Sequence, residues 1–349
     1  MTNSDQQKEL QLIIDECRIR GITLDDFRRS FRSVSAEQPK QWRSIPSILS
    51  MLNQENLEKL SEKIQKLLEN HRFYNDKLLV IYEKQDSEYL QELDQLFSEI
   101  SVENKQLDYG YIADSSYNLS EKDKVSLHHF RKIRDIFSKE DIDVDKLPKD
   151  AQSELNEFDR IIGVRATKLD CYDAVIFDFK ENLMIIQLDL ISMLNAGEID
   201  KNIEDFLKTL NSLISSNIGN AFKIDKKTNA VNLYPCITNF YKNIEGAVTR
   251  LSFTTSKGVH HETLKGAATD IRKADYHIGG KAKESGNIYP YRVTKKFELD
   301  IDNKPQAFIG VKYNYFAKPG AKFLASARIF DVMNFKSYAY IISKIIENR

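Results

Sequence analysis

Apolar residues recur at helical spacing in the first part of the chain. Leu57, Leu60, Ile64 and Leu67 fall three or four positions apart, which places them on one face of a helix. Shorter stripes of the same kind precede them. Residues 1–72 are therefore predicted to form an N-terminal helical region.

Residues 73–155 mix helical and strand patterns, which predicts a small α/β portion. The apolar run at 78–84 predicts a strand, and the amphipathic stretches at 87–100 and 120–137 predict helices. The charged stretch at 138–157 has only scattered apolar residues, so it is predicted to be a linker or a domain boundary.

Alternation with a period of two dominates from residue 156 onward. It predicts strands at 160–169, 172–180 and 182–191, a hairpin at 221–234, and further strands before a closing helix at 335–346. We therefore predict an α+β fold. An N-terminal helical region with a small α/β portion is followed by a strand-rich C-terminal domain at 156–349 with flanking helices.

The composition indicates a folded chain without a strong overall charge. Its 349 residues correspond to roughly two domains. Hydrophobic residues make up 41% and aromatic residues 10%, which is enough apolar surface for a substantial core. The 51 Lys and Arg nearly balance the 52 Asp and Glu, so any preference for nucleic acid must come from local clustering.

The cysteines and the hydropathy pattern bear on location. Cys17, Cys171 and Cys236 are odd in number and widely spaced, which predicts reduced thiols and neither a disulfide framework nor a zinc site. The chain has no run of about 18 apolar residues, so no membrane span is predicted. The first ten residues are polar and lack the apolar core of a signal peptide. These features together predict a cytoplasmic protein.

One stretch, the basic segment at 242–296, has an excess of positive charge. It holds eleven Lys and Arg against five Asp and Glu. Lys and Arg neutralise phosphates, glycines let backbone N–H groups approach an anion, and tyrosines can stack on bases. We therefore predict a phosphate-rich ligand, most simply DNA or RNA; a solvated basic loop is the alternative. The predicted contacts are Arg250, Lys257, His260, Lys265, Arg272, Lys273, Lys281 and Lys283.

The sequence lacks the motifs of several enzyme classes. The stretch DYHIGGK at 275–281 does not complete GxxxxGK[ST], and GxGxxG does not occur, which disfavours nucleotide hydrolysis on a P-loop. The spacing in His260-His261-Glu262 differs from HExxH, which excludes a zincin. Neither a GxSxG elbow nor a CxxC motif is present.

A second hypothesis concerns catalysis on the predicted strand at 172–180. Asp173, Asp178 and Lys180 resemble the D…(D/E)xK pattern of nucleases, in which carboxylates hold Mg²⁺ and the lysine helps to position or activate water. Asp173 has the opposite strand parity and converges with Asp178 only through a bulge or a strand start. Polar outer residues of an edge hairpin are the alternative interpretation. Other carboxylates that could supply a ligand are Asp159, Asp170 and Asp189.

The N-terminal region also contains a local resemblance. The stretch ECRIRGITLDDFRRSF, followed by VSAEQPKQW, resembles the opening of helix-turn-helix DNA-binding domains. The resemblance implies that Arg28, Arg29 and Arg32 contact DNA phosphates. The alternative that we favour is a helical cap or a dimerisation arm, since amphipathic helices more often bury their apolar face.

These patterns lead to one leading function and two alternatives. We predict a nucleic-acid-binding protein, and the Lys-, Asn- and Ile-rich composition suggests a component of a bacterial antiviral defence or mobile-element system. The first alternative is a Mg²⁺-dependent nuclease of the D…(D/E)xK type; Mg²⁺ is the one cofactor implied. The second is a non-catalytic subunit that acts through protein partners or as a homo-oligomer, using its N-terminal helices.

Overall fold

An antiparallel sheet with helices on both of its faces forms the centre of the protein. The computed structural model describes residues 3–32, 34–35, 37–83, 86–122, 124–143, 147–155, 157–158, 160–191, 196–219, 223–225, 229–266, 270–283, 287–301 and 303–349. These residues form an α+β fold, which confirms the predicted fold class.

The helices fall into an N-terminal group of four and a second group distributed around the sheet. In chain order they are α1 (Asn3–Ile19), α2 (Leu24–Phe31), α3 (Ile45–Met51), α4 (Gln54–Tyr74), α5 (Ser87–Val102), α6 (Lys149–Leu155), α7 (Ala196–Asn217), α8 (Tyr234–Lys242), α9 (Asp275–Lys283), α10 (Tyr313–Ala317) and α11 (Phe335–Glu347). The closing helix α11 lies where the sequence predicted it.

The described strands belong to one sheet in the order β2-β3-β4-β5-β1-β10-β9-β8-β6-β7, with every neighbouring pair antiparallel. They are β1 (Lys77–Tyr82), β2 (Tyr111–Ser120), β3 (Val125–Asp141), β4 (Ile162–Asp178), β5 (Leu183–Asp189), β6 (Ala247–Thr255), β7 (Gly258–Thr263), β8 (Tyr289–Lys296), β9 (Gln306–Gly310) and β10 (Ser326–Phe330). Strand β1 lies between β5 and β10, so strands from both sides of the predicted boundary at 155 share this sheet.

Each face of the sheet is covered by its own pair of helices. Neighbouring residues of a strand point to opposite faces and therefore pack against different pairs. Helices α5 and α7 pack with Val80 and Val175 on one face. Helices α8 and α11 pack with Leu79 and Ile176 on the other. The central strands are therefore apolar on both sides, and all seven residues of β5 are buried.

The N-terminal helices α1–α4 form a separate cluster of buried side chains that includes Phe31 and Ile64. Capping side chains in the local sequence determine where α2 and α4 begin. The Thr23 hydroxyl accepts a hydrogen bond from the Asp26 N–H at 3.2 Å at the start of α2. The Asn53 side chain accepts one from the Asn56 N–H at 2.9 Å at the start of α4.

The helix predicted at 120–137 is wrong, because this part of the chain belongs to the hairpin of β2 and β3. Leu127, Phe130 and Ile133 recur every three residues and so imitate a helical stripe. In the strand, Leu127 joins the core under α8 and α11, and Phe130 joins the core under α5 and α7. A strand that is buried on both faces does not alternate simply between apolar and polar residues, which explains the error.

Two further predictions of strands need correction. The strands predicted at 160–169 and 172–180 form the single strand β4, which pairs with β3 along its whole length. In the hairpin predicted at 221–234, the described residues at 223–225 and 229–233 form no strand. Tyr234 begins α8, and residues 221–222 and 226–228 lie outside the described part of the chain.

The three cysteines are buried and free of disulfide bonds. Burial raises the pKa of each thiol to about 12, so the thiols stay protonated near neutral pH. Among the described residues, we find no helix with both the length and the apolar character that a membrane crossing requires.

Candidate functional site

The basic segment folds into a hairpin and a short helix that face each other. Strands β6 and β7 pair with Phe253 opposite His260 and Thr255 opposite Gly258. Gly258 closes the turn with a φ of 147°, a conformation that L side chains rarely adopt. Helix α9 begins at Asp275 and places its cationic end beside this hairpin.

Four of the eight predicted contact residues line one cavity between the hairpin and α9. We call this space, which measures about 430 Å³, the hairpin cavity. Lys257 comes from the turn, His260 from β7, and Lys281 and Lys283 from the end of α9. Two acidic residues, Glu262 and Asp275, also line it. Residues far apart in sequence are therefore brought to one polar cavity.

The other predicted contacts lie elsewhere. Arg272 pairs with Asp270 at 2.7 Å and donates hydrogen bonds to the carbonyl groups of Asn243 and Gly246, the latter at 2.5 Å. It thereby satisfies carbonyl groups after the end of α8 and has a structural role. Of the remaining three, Lys265 is exposed beyond β7, Lys273 lines a groove beside Asp270, and Arg250 lines a different cleft on the sheet.

A chain of hydrogen bonds that includes Tyr241 joins three residues that line the hairpin cavity, Glu262, His277 and Lys281. His277 is buried, with its Nδ1 2.8 Å from Glu262 Oε2 and its Nε2 3.0 Å from the Tyr241 hydroxyl. The Lys281 ammonium donates to the same hydroxyl at 3.2 Å. Every hydrogen bond is satisfied if Nδ1–H donates to the carboxylate and Nε2 accepts from the phenol.

This hydrogen-bond chain positions the Lys281 ammonium and does not form a metal site. Both ring nitrogens of His277 are used in hydrogen bonds, and the Lys281 ammonium lies 5.3 Å from the centre of the Tyr241 ring. Within the described ranges, no three His, Cys, Asp or Glu side chains are arranged to hold a metal ion. Tyr241 could not be recognised from the sequence, because its hydrogen bonds to His277 and Lys281 depend on how α8 and α9 pack together.

Asp173, one of the proposed nuclease residues, is buried on the face of β4 that it shares with Val175 and Phe177. It accepts hydrogen bonds from the Tyr111 hydroxyl at 2.7 Å, from the backbone N–H of Asp189 at 2.8 Å, and from Arg134. Its oxygens are thus occupied by protein donors, which is the usual condition of a structural buried carboxylate.

Asp178 lies at the end of β4, on the opposite face from Asp173. One of its oxygens accepts hydrogen bonds from the backbone N–H groups of Lys180 and Glu181 at 3.1 and 3.0 Å. Burial raises the pKa of its carboxyl. Asp178 therefore closes the turn between β4 and β5, and the structure does not bring Asp173, Asp178 and Lys180 together.

Two of the three arginines in the helix-turn-helix resemblance, Arg28 and Arg29, have partners within their own region, and Arg32 is exposed. Arg28 pairs with Asp25 at 2.6 Å and donates to the carbonyl group of Pro39 at 2.7 Å. Arg29 pairs with Asp26 at 2.9 Å. The described residues between α2 and Trp42 form no helix.

The fold and the cavity define a mixed α+β protein with a polar, cation-rich cavity at one end of its sheet. No family model matches the chain, and no curated protein is significantly similar to it in sequence.

Proposed function

We propose that the hairpin cavity binds the phosphate groups of a nucleic acid. The observation that carries this proposal is the convergence of Lys257, His260, Lys281 and Lys283 on one cavity. Cationic side chains that neutralise phosphates release counterions, which supplies much of the affinity of proteins for nucleic acids.

The glycines of α9 support the same proposal. Gly279 and Gly280 line the cavity, and a Cβ added at either position would meet nothing within 4 Å. Close packing therefore does not require glycine at these positions. A wall without side chains leaves the backbone open to the approach of a bulky anion.

An exposed aromatic residue favours a single strand as the ligand. The Tyr276 side chain lines the cavity and is 86% exposed. Proteins that bind single-stranded nucleic acids combine a cationic groove with aromatic rings on which unpaired bases stack. Tyr276 beside Lys281 and Lys283 provides both elements in one place.

The test is fluorescence anisotropy of a labelled single-stranded oligonucleotide of about twelve nucleotides, a length within the usual site size. We expect binding by the full chain at low salt. The double variant Lys257→Gln/Lys283→Gln should bind about tenfold more weakly, with a salt dependence reduced by about one to two counterions. Lys281 is left intact because it also contacts Tyr241.

The matched control is the double variant Lys66→Gln/Lys336→Gln, which removes two exposed lysines that do not line the cavity. It has the same change of net charge, so it corrects for the overall field of the protein. Equal loss of affinity in both double variants, or no binding by the unmodified chain at low salt, would contradict the proposal.

The alternative of a non-catalytic subunit is supported only by exposed apolar side chains on the N-terminal helices. Leu12 and Met51, on the N-terminal helices, are 72% and 67% exposed, which leaves apolar side chains available to another protein. Such single exposed residues are common on protein surfaces. The role in a bacterial defence or mobile-element system stays a prediction from composition.

A further inference from the structure

A second cavity, which we call the sheet cleft, has a floor made by one row of side chains across five strands. Arg250 lies opposite Thr294, Thr294 opposite Phe308, Phe308 opposite Arg328, and Arg328 opposite Leu78. All five residues line a space of about 580 Å³. Directly opposed residues point to the same face, so the row forms a continuous surface.

The walls of the sheet cleft come from helices around the sheet. The end of α1 contributes Arg20, the end of α4 contributes His71, and α7 contributes Ile199. Phe330 and Asp331, at the end of β10, complete the lining; the Arg328 guanidinium lies near the Phe330 ring, and the Asp331 carboxyl interacts with the charge of Arg250. The volume falls within the usual range of small-molecule sites, roughly 300–1,000 Å³.

The polar groups of the sheet cleft include two with unused hydrogen-bonding capacity. Arg250 is exposed and donates no hydrogen bond to any described residue. His71 is buried, and its Nδ1 has no hydrogen-bond partner among the described residues. Burial, together with the charges of Lys77 and Arg20, lowers the pKa of His71 to about 3, so its imidazole is neutral near pH 7.

The floor offers aromatic surface between two separated positive charges. Phe308 and Phe330 are half-buried, and the Arg328 guanidinium lies 5.9 Å from the centre of the Phe330 ring. Arg328, on β10, is paired with Asp76 at 2.6 Å, whereas Arg250 lies on β6, three strands away in the sheet. At about 4.8 Å per strand, the two backbones are about 14 Å apart, which leaves room for a planar ring and a sugar between them.

We propose that the sheet cleft binds a nucleoside phosphate, with its base against Phe308 and its phosphate at Arg250. The base stacks on the aromatic floor, and the neutral imidazole of His71 provides a polar group within the cleft. The same chemistry is presented by a free mononucleotide and by one nucleotide of a strand. The inference does not depend on the hairpin cavity, because the two cavities share no lining residue.

The experiment measures binding to the full chain by isothermal titration calorimetry. The probes are AMP, GMP, CMP and UMP, the matching nucleosides, inorganic phosphate, and a short single-stranded oligonucleotide. The variants are Arg250→Gln and Phe308→Leu, and the control is Lys257→Gln/Lys283→Gln in the hairpin cavity. Thermal unfolding shows whether each variant is folded. If Phe308→Leu is unfolded, the affinity of Arg250→Gln alone tests the proposal.

We expect at least one mononucleotide to bind, and we expect Arg250→Gln and Phe308→Leu each to weaken it about tenfold while the control does not. Strand binding that depends on Arg250 and Phe308, without mononucleotide binding, supports the site and identifies a strand as its source. The proposal is overturned if neither the mononucleotides nor the oligonucleotide binds. It is also overturned if neither Arg250→Gln nor Phe308→Leu changes the affinity. If only the Lys257→Gln/Lys283→Gln variant loses affinity for the oligonucleotide, the proposed binding at the sheet cleft is overturned. The proposal for the hairpin cavity then still holds.

Discussion

Arg20 at the end of α1 donates a hydrogen bond from Nη1 to Asp189 Oδ2 on β5 at 3.0 Å, with both side chains almost fully buried. The other oxygen of Asp189 accepts from Lys77 Nζ at 2.6 Å. One carboxylate therefore joins the N-terminal helices to two adjacent strands of the sheet. Burial by itself raises the pKa of Asp189, but the charges of Lys77 and Arg20 outweigh it and hold that pKa well below its usual value.

The first prediction is that Asp189→Asn strongly destabilises the protein. The substitution leaves the buried Lys77 without its carboxylate partner and leaves Arg20 with Glu16 alone, at 2.8 Å. Breaking a buried ion pair in this way costs about 3–5 kcal/mol in the free energy of unfolding. Urea denaturation measures this loss. The control is Asp141→Asn, which removes an exposed partner of Arg160 at 2.6 Å and should leave stability essentially unchanged. Equal effects of the two substitutions would show that the buried ion pairs do not hold the helices to the sheet.

The second prediction concerns pH and two buried histidines. Burial is the main cause that lowers the pKa of both His71 and His129 from 6.5 to about 3. The unfolded chain therefore binds more protons than the folded chain between these values, so stability is full above about pH 6.5 and falls as the pH is lowered. Each histidine contributes up to about 1.4 kcal/mol per pH unit in this window.

His129→Phe tests this contribution because phenylalanine can keep the ring contact with Phe73, whose centre lies 4.6 Å away. Between pH 4 and 6, the free energy of unfolding of the variant should fall less steeply than that of the unmodified chain, by about 1.4 kcal/mol per pH unit. Identical slopes would mean that His129 titrates normally in the folded protein.

The third prediction is that Asp178 acts in the turn between β4 and β5. Asp178→Ala removes the acceptor for two backbone N–H groups and should cost about 1 kcal/mol, as the loss of a helix cap does. Asp178→Asn keeps an oxygen in place and should cost less. Thermal unfolding compares the two variants. A Mg²⁺-dependent cleavage of DNA that disappears in Asp178→Ala without loss of folding would contradict this interpretation and restore the nuclease hypothesis.

Local sequence predicted the elements that are covered on one face. Helix α5 was expected at 87–100 and α11 at 335–346, and both carry a regular apolar stripe against the sheet. The hairpin of β2 and β3 was missed because β3 is buried between two layers, where alternation is weakened. Strands β1 and β5 are also buried on both faces, but each was predicted because its apolar residues form a nearly continuous run, whereas charged residues interrupt the run in β3.

For the candidate site, too, the sequence shows which residues are present but not which of them the fold brings together. The clustering of cations in 242–296 is visible in the sequence, but their separation into different environments is not. Arg272 is committed to carbonyl groups after α8, whereas Lys283 lines the hairpin cavity. The Arg20–Asp189 pair joins residues 169 positions apart, so only the fold brings it together.

The fourth prediction tests the hydrogen-bond chain of the hairpin cavity. Tyr241→Phe removes a hydroxyl that contacts both His277 Nε2 at 3.0 Å and the Lys281 ammonium at 3.2 Å. Because His277 is buried, its unpaired nitrogen should cost about 1–3 kcal/mol in the free energy of unfolding. The matched control is Tyr338→Phe, since the Tyr338 hydroxyl is buried without a hydrogen-bond partner among the described residues. Its removal leaves no polar group newly unpaired and should be neutral or stabilising. If both substitutions change the urea midpoint equally, the chain from Glu262 to Lys281 contributes nothing beyond the packing of its rings.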